Sequence, residues 1–205
     1  MLPELLQKTN LYKLLFLIDS EFSDKLKAQP CPFCGGVLHQ GNYMRKPRGS
    51  SLNLPDEYLM RHSLCCNKPE CRKRSQPPSC RFFGRKVYFW PTILIVMALR
   101  QRRENSYSAG KLIRLFNIPR NTLKRWFSFF EECFPLLPEW HNLRGYVPAD
   151  ISNQEIPGGL LYVFIKHCDG KAFEGLIRCL LFLESANKFS LKIDGNYFHA
   201  EDVYL

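Results

Sequence analysis

Four cysteines carry the spacing most suited to chemistry, and the chemistry is metal binding. Cys31-Pro32-Phe33-Cys34-Gly35-Gly36 is a Cys-x-x-Cys-Gly turn. In such a knuckle both sulfurs face one side, and the small residue after the second cysteine permits a tight turn. A second pair lies in Leu64-Cys65-Cys66-Asn67-Lys68-Pro69-Glu70-Cys71, where Cys66 and Cys71 keep metal-ligand spacing. Cys65 competes with Cys66, because strand alternation turns one sulfur to the metal and the other away; the shorter knuckle favours Cys66. Four thiolates close a tetrahedral site with no position for a reactive water, so the expected cofactor is one structural Zn2+. A redox Cys-x-x-Cys belongs in a βαβ context, whereas here the flanks are glycine and proline. His39 and His62 lie near the knuckles, but the four sulfurs suffice. Cys80, Cys133, Cys168 and Cys179 read as small core residues.

The second constellation is a pair of short helices at residues 109–128. Leu112, Phe116, Ile118, Leu123 and Trp126 fill the apolar positions of a helix-turn-helix, where they fix the angle between the helices. Asn117 stands at the turn position usually held by glycine, and asparagine tolerates the left-handed conformation needed there. Ile113 departs from the pattern, since a small residue is usual. The second helix, started by Pro119, would present Arg120, Asn121, Lys124 and Arg125 outward. Arginine and asparagine near the start of such a helix can reach guanine and adenine edges in a major groove. Thr122, with Lys111 and Arg114 on the preceding helix, would sit near phosphates. RNA fits less well, its major groove being too narrow for a helix.

Charge points the same way. Residues 41–125 hold 19 Lys+Arg against 4 Asp+Glu, while residues 1–40 balance and residues 126–205 carry a net of −5. A basic middle between neutral and acidic flanks is a polyanion footprint. After the second knuckle, Arg72, Lys73, Arg74, Arg81, Arg85 and Lys86 interleave with Phe82 and Phe83. That pattern fits backbone phosphate contact, or a cationic loop whose phenylalanines only pack.

The elements that position these groups follow from periodicity. Residues 1–29 form an N-terminal helical segment with an apolar stripe. Residues 30–86 suit a small β zinc ribbon with a basic arm, 46–56 being a loop within it. Residues 87–134 are helical, beginning at Trp90-Pro91 and ending the first helix in Arg100, Arg102 and Arg103. The apolar run Val87 to Leu99 is too short for the ~20 residues of a membrane span and reads as a buried helix. Residues 135–205 form a packing or partner-binding region: an irregular, proline-rich connection to 159, a helix at Ala172 to Glu184, and a hairpin over 189–199 turning at Asp194-Gly195. The fold class is mainly α with a small β zinc ribbon, α+β. Met1-Leu2-Pro3-Glu4 carries no secretory pattern, so a reducing cytoplasm is expected, with the protein on the nucleoid when bound to DNA.

With Cys31 to Gly36, Cys66 to Arg74 and Lys111 to Trp126 in this order, residues 30–130 resemble the zinc ribbon and helix-turn-helix of insertion-sequence transposases. The resemblance implies recognition of double-stranded element DNA, alone or beside a separate transposase or integrase subunit. The catalytic half of such enzymes is not evident. Two-metal strand transfer needs three converging carboxylates, and Asp150, Glu155, Asp169, Glu174 and Asp194 are scattered. His141, His167 and His199 are isolated. The alternatives are a transcriptional regulator built from the same modules, a zinc-stabilised protein whose basic face meets an acidic protein, and an enzyme with a reduced catalytic domain.

Overall fold

The computed structural model describes residues 2–50, 52–101 and 106–185, and the backbone of Leu191–Ile193 and Asn196–Phe198. Among these the chain is mostly helical with small antiparallel sheets, an α+β fold. Arg102, Arg103, Asp194, Gly195 and His199 lie outside the described residues.

A 3-10 turn, Leu2–Gln7, leads into α1, Thr9–Lys27; of the apolar stripe read from the sequence, Leu5, Leu6, Leu11, Leu15, Ile18 and Phe22 are buried and Leu14 is half-buried, and Tyr12 is buried beside them. The first sheet is antiparallel in the order β1 (Leu38–Gln40), β4 (Leu64–Cys66), β5 (Arg74–Ser75). Beside it β2 (Tyr43–Met44) pairs with β3 (Met60–Arg61), which follows the single turn α2 (Asp56–Leu59).

The centre is α3, Trp90–Gln101, buried continuously from Trp90 through Leu99. A helix apolar on every side must be surrounded by protein, and the Trp90 to Leu99 part of α3 falls in the apolar run noted above. No described helix is long and apolar enough to cross a membrane. Two helices follow, α4 (Ala109–Phe116) and α5 (Arg120–Ser128); α5 continues into a π-helical turn, Phe129–Cys133. Residues 135–159 differ from the irregular connection expected: α6, Pro138–Arg144, forms there and buries Trp140 and Leu143. Its proline sits in the first helical turn, where the missing N–H breaks no intrahelical bond. α7 (Gly158–His167) and α8 (Ala172–Glu184) complete the helical body, and β6 (Leu191–Ile193) pairs antiparallel with β7 (Asn196–Phe198).

Two glycines allow helices to touch backbone to backbone. A Cβ on Gly158 would lie 2.6 Å from the Ala98 Cα of α3, and one on Gly175 would lie 2.7 Å from the Ile165 Cα of α7. Gln101, ending α3, donates to the carbonyls of Gln154 and Ile156 at 3.0 and 2.8 Å and accepts the Gly158 amide at 2.9 Å. The start of α7 is thereby fixed to the end of α3.

The four sequence segments share two cores. One continuous core takes α1, α3 to α8, and Leu54, Tyr58, Cys80 and Phe82 from segment 30–86. A small second core holds Cys31, Leu38, Leu64 and Cys66.

Candidate metal centre and nucleic-acid face

The sulfurs of Cys31, Cys34, Cys66 and Cys71 all lie within 4.8 Å of one another. Cys34 and Cys66 Sγ are 3.4 Å apart, and Cys31 and Cys71 Sγ 3.9 Å. Four ligands at ~2.3 Å around a tetrahedral zinc would sit about 3.8 Å apart, and a disulfide would need about 2.05 Å; the cysteines are free. The spacing therefore suits a metal ion.

The two knuckles are built alike. The Gly35 amide donates to the Cys31 carbonyl at 2.8 Å, and the Arg72 amide donates to the Lys68 carbonyl at 3.0 Å. Gly35 and Arg72, each following a second cysteine, both hold positive φ, 70° and 45°. A Cβ at Gly36 would lie 3.0 Å from Cys66 Sγ, close enough that the sulfur would have to shift by a few tenths of an ångström. The Gly36 amide, followed by the Cys66 thiol, holds Cys34 down to about 7. The Lys68 amide lowers Cys66, but burial and the neighbouring thiols carry it up to about 12. Four sulfurs this close cannot all ionise without a cation among them.

Strand register decides between the neighbouring cysteines. Cys66 faces Leu38 across β1 and turns its sulfur into the cluster, whereas Cys65 faces His39 and directs its sulfur to the Arg72 carbonyl at 3.5 Å. His62 is buried and bonds Ser20 Oγ at 3.2 Å, away from the cluster.

The basic arm is less free than its composition suggests. Arg72, Lys73, Arg74 and Arg85 are exposed, with Lys73 Nζ 4.6 Å from the Phe33 ring centre. Lys86 is half-buried, its amine 4.2 Å from the Phe129 ring centre. Arg81 corrects the expectation of a phosphate contact: it is 0% exposed. Its Nε donates to Asp19 Oδ2 at 2.8 Å, and its terminal nitrogens donate to the carbonyls of Tyr58 and Met60 at 2.8 and 3.0 Å. Asp19 also accepts the Ser79 hydroxyl at 2.5 Å and the Cys80 amide at 2.7 Å. Every oxygen of this carboxylate is used, as a buried charge requires. Phe82 is buried, and Phe83 stacks on Trp90 with ring centres 4.3 Å apart. Cys133 is exposed, contrary to the core role expected, while Cys80, Cys168 and Cys179 are buried.

The helix pair is anchored from below. Ser108 accepts the Lys111 amide at 3.3 Å and caps α4. Asn117 closes α4 at φ 50° and ψ 46°, the left-handed turn its residue type predicts. Leu112, Ile118, Leu123 and Trp126 are buried, Phe116 half-buried, and Trp126 meets Tyr88 edge-on at 5.0 Å. Arg120, Asn121, Lys124 and Arg125 on α5 are exposed, as are Lys111 and Arg114 on α4; Thr122 is half-buried.

The scattered carboxylates stay apart. Asp150 and Asp169 are exposed, Glu155 completes a capping box with Ser152, and Glu174 pairs with Arg178 at 3.0 Å. Among the described residues the cysteines are the group that could hold a metal ion. Sequence reasoning missed Asp19, although an acid between Leu15, Ile18 and Phe22 on the apolar stripe of α1 was a visible anomaly. It also missed Arg61, which donates to the Pro77 carbonyl at 2.6 Å, and Glu184, which accepts Trp90 Nε1 at 3.2 Å; neither has a local signature. No known protein-family model, curated protein or solved structure matches this chain.

Proposed function

We propose that the protein binds double-stranded DNA through α5, with one structural zinc held by Cys31, Cys34, Cys66 and Cys71 in a ribbon. The observation that carries the reading is the division of α5 into two faces. Leu123 and Trp126 are buried while Arg120, Asn121, Lys124 and Arg125 stand in solvent. A short basic helix so anchored presents donors able to pair with base edges and phosphates. Four sulfur donors and no water position give the metal a structural role. Element DNA is the proposed target, on the sequence resemblance of residues 30–130 to insertion-sequence transposases alone, and an operator is the second target class.

The test is selection of bound sequences from random duplexes, followed by titration of the selected site. Arg120→Ala should lower affinity for that site by about 1–3 kcal/mol and relax one base position. Unchanged selectivity in that variant would exclude Arg120 from base reading, and indifference of the wild type to duplex DNA at low ionic strength would end the proposal.

A further inference from the structure

A polar cleft of about 600 Å3 opens beside the small sheet, lined by Tyr43, Arg45, Arg74, Gln76, Gly84 and Arg85. We infer that this cleft seats the phosphates of duplex DNA outside the stretch contacted by α5, as a second contact surface of the same complex. The inference rests on the DNA-binding reading and extends it to Arg45 and Tyr43, which belong to no sequence motif.

Three guanidinium groups meet here, and no carboxylate lines the cleft among the described residues. Two of the arginines are held by backbone carbonyls. Arg45 donates to Gly84 O at 2.9 Å and to Lys86 O at 2.7 Å, and Arg74 donates to Gly41 O at 3.0 Å. Neutral carbonyls fix the direction of a guanidinium without cancelling its charge. Each of these groups keeps further N–H donors, because a guanidinium has about five. Tyr43 Oη accepts from Gln76 Nε2 at 3.1 Å, which leaves its own O–H to donate. The cleft is thus a preset array of donors and positive charge, the complement of phosphate oxygens.

Its position joins it to the reading helix. Arg85 lines the cleft, and the next residue, Lys86, lies over Phe129, the first residue after α5. DNA lying along α5 would therefore meet the cleft beyond the C-terminal end of that helix. Basic residues placed this way add affinity without reading sequence.

The experiment titrates a long duplex containing the selected site, at several salt concentrations, with wild type, Arg45→Gln/Arg85→Gln and Arg85→Gln alone. Arg85→Gln breaks no hydrogen bond among the described residues, so it guards against a loosened 84–86 loop in the double variant. The salt slope of log affinity should fall by about 2 in the double variant and by about 1 in the single one. The ratio of selected to unrelated duplex affinity should stay constant in both. If the wild type binds the selected site and Arg85→Gln keeps the wild-type slope at full metal content, the cleft is not a phosphate seat and the reading of α5 survives. If the wild type binds no duplex, both fall together.

Discussion

A half-buried carboxyl group makes this protein's stability depend on pH. Glu184 accepts Trp90 Nε1 at 3.2 Å and the Ser79 amide at 3.4 Å. Burial pushes its carboxyl from an ordinary value of 4.5 up to about 7. The folded state therefore holds a proton between those values that the unfolded chain has released. The corresponding stability is complete below about pH 4.5, declines as pH rises and is gone above about 7. Urea unfolding should show this as a loss of up to about 3 kcal/mol across that window. Glu184→Gln should flatten the slope there, at the expense of one of the two hydrogen bonds; an unaltered slope would remove Glu184 from the account. The sequence could mark Cys31, Cys34, Cys66 and Cys71 because a knuckle needs fixed local spacing. It could not mark Glu184, whose partners Ser79 and Trp90 lie more than 90 residues away.

Helices were legible where their period was uninterrupted. The stripe of α1, the apolar run of α3 and the Ala172 to Glu184 span of α8 each follow from side-chain type alone. The short α6 was not, because prolines at 135, 138 and 148 read as breaks when one of them begins a helix. The π-helical turn after α5 had no signal; it turns Phe130 to stack near Trp90, with ring planes 4° apart. Contacts between helices were hidden as well. Gly158 looks like part of a flexible Gly-Gly pair, yet its missing Cβ lets α7 touch the α3 backbone. Gly158→Ala should cost about 1–3 kcal/mol of unfolding free energy by overpacking. Gly145→Ala, with nothing near its Cβ position, should change stability by under about 0.5 kcal/mol. Equal effects in thermal melts would mean that α3 and α7 can separate without penalty.

Across the whole molecule, the basic middle was legible from charge counts, and the division of labour between two cores was not. The cysteine cluster has its own small core, but Tyr58, Cys80 and Phe82 from the same segment pack into the main one. Metal bound to the folded state alone should therefore support the helical body too. Cys66→Ser should release one zinc per chain and lower the melting temperature followed by helical circular dichroism, whereas Cys65→Ser should do neither. Helical melting that ignores metal content would show two uncoupled units. The Asp19–Arg81 pair ties α1 to the chain leaving the small sheet. Replacing either partner alone leaves the other a buried charge without its counter-ion, at about 3–5 kcal/mol. In any lineage descended from this sequence the two positions are bound to a common fate: each must persist while the other does, or both must become uncharged in near-simultaneous steps.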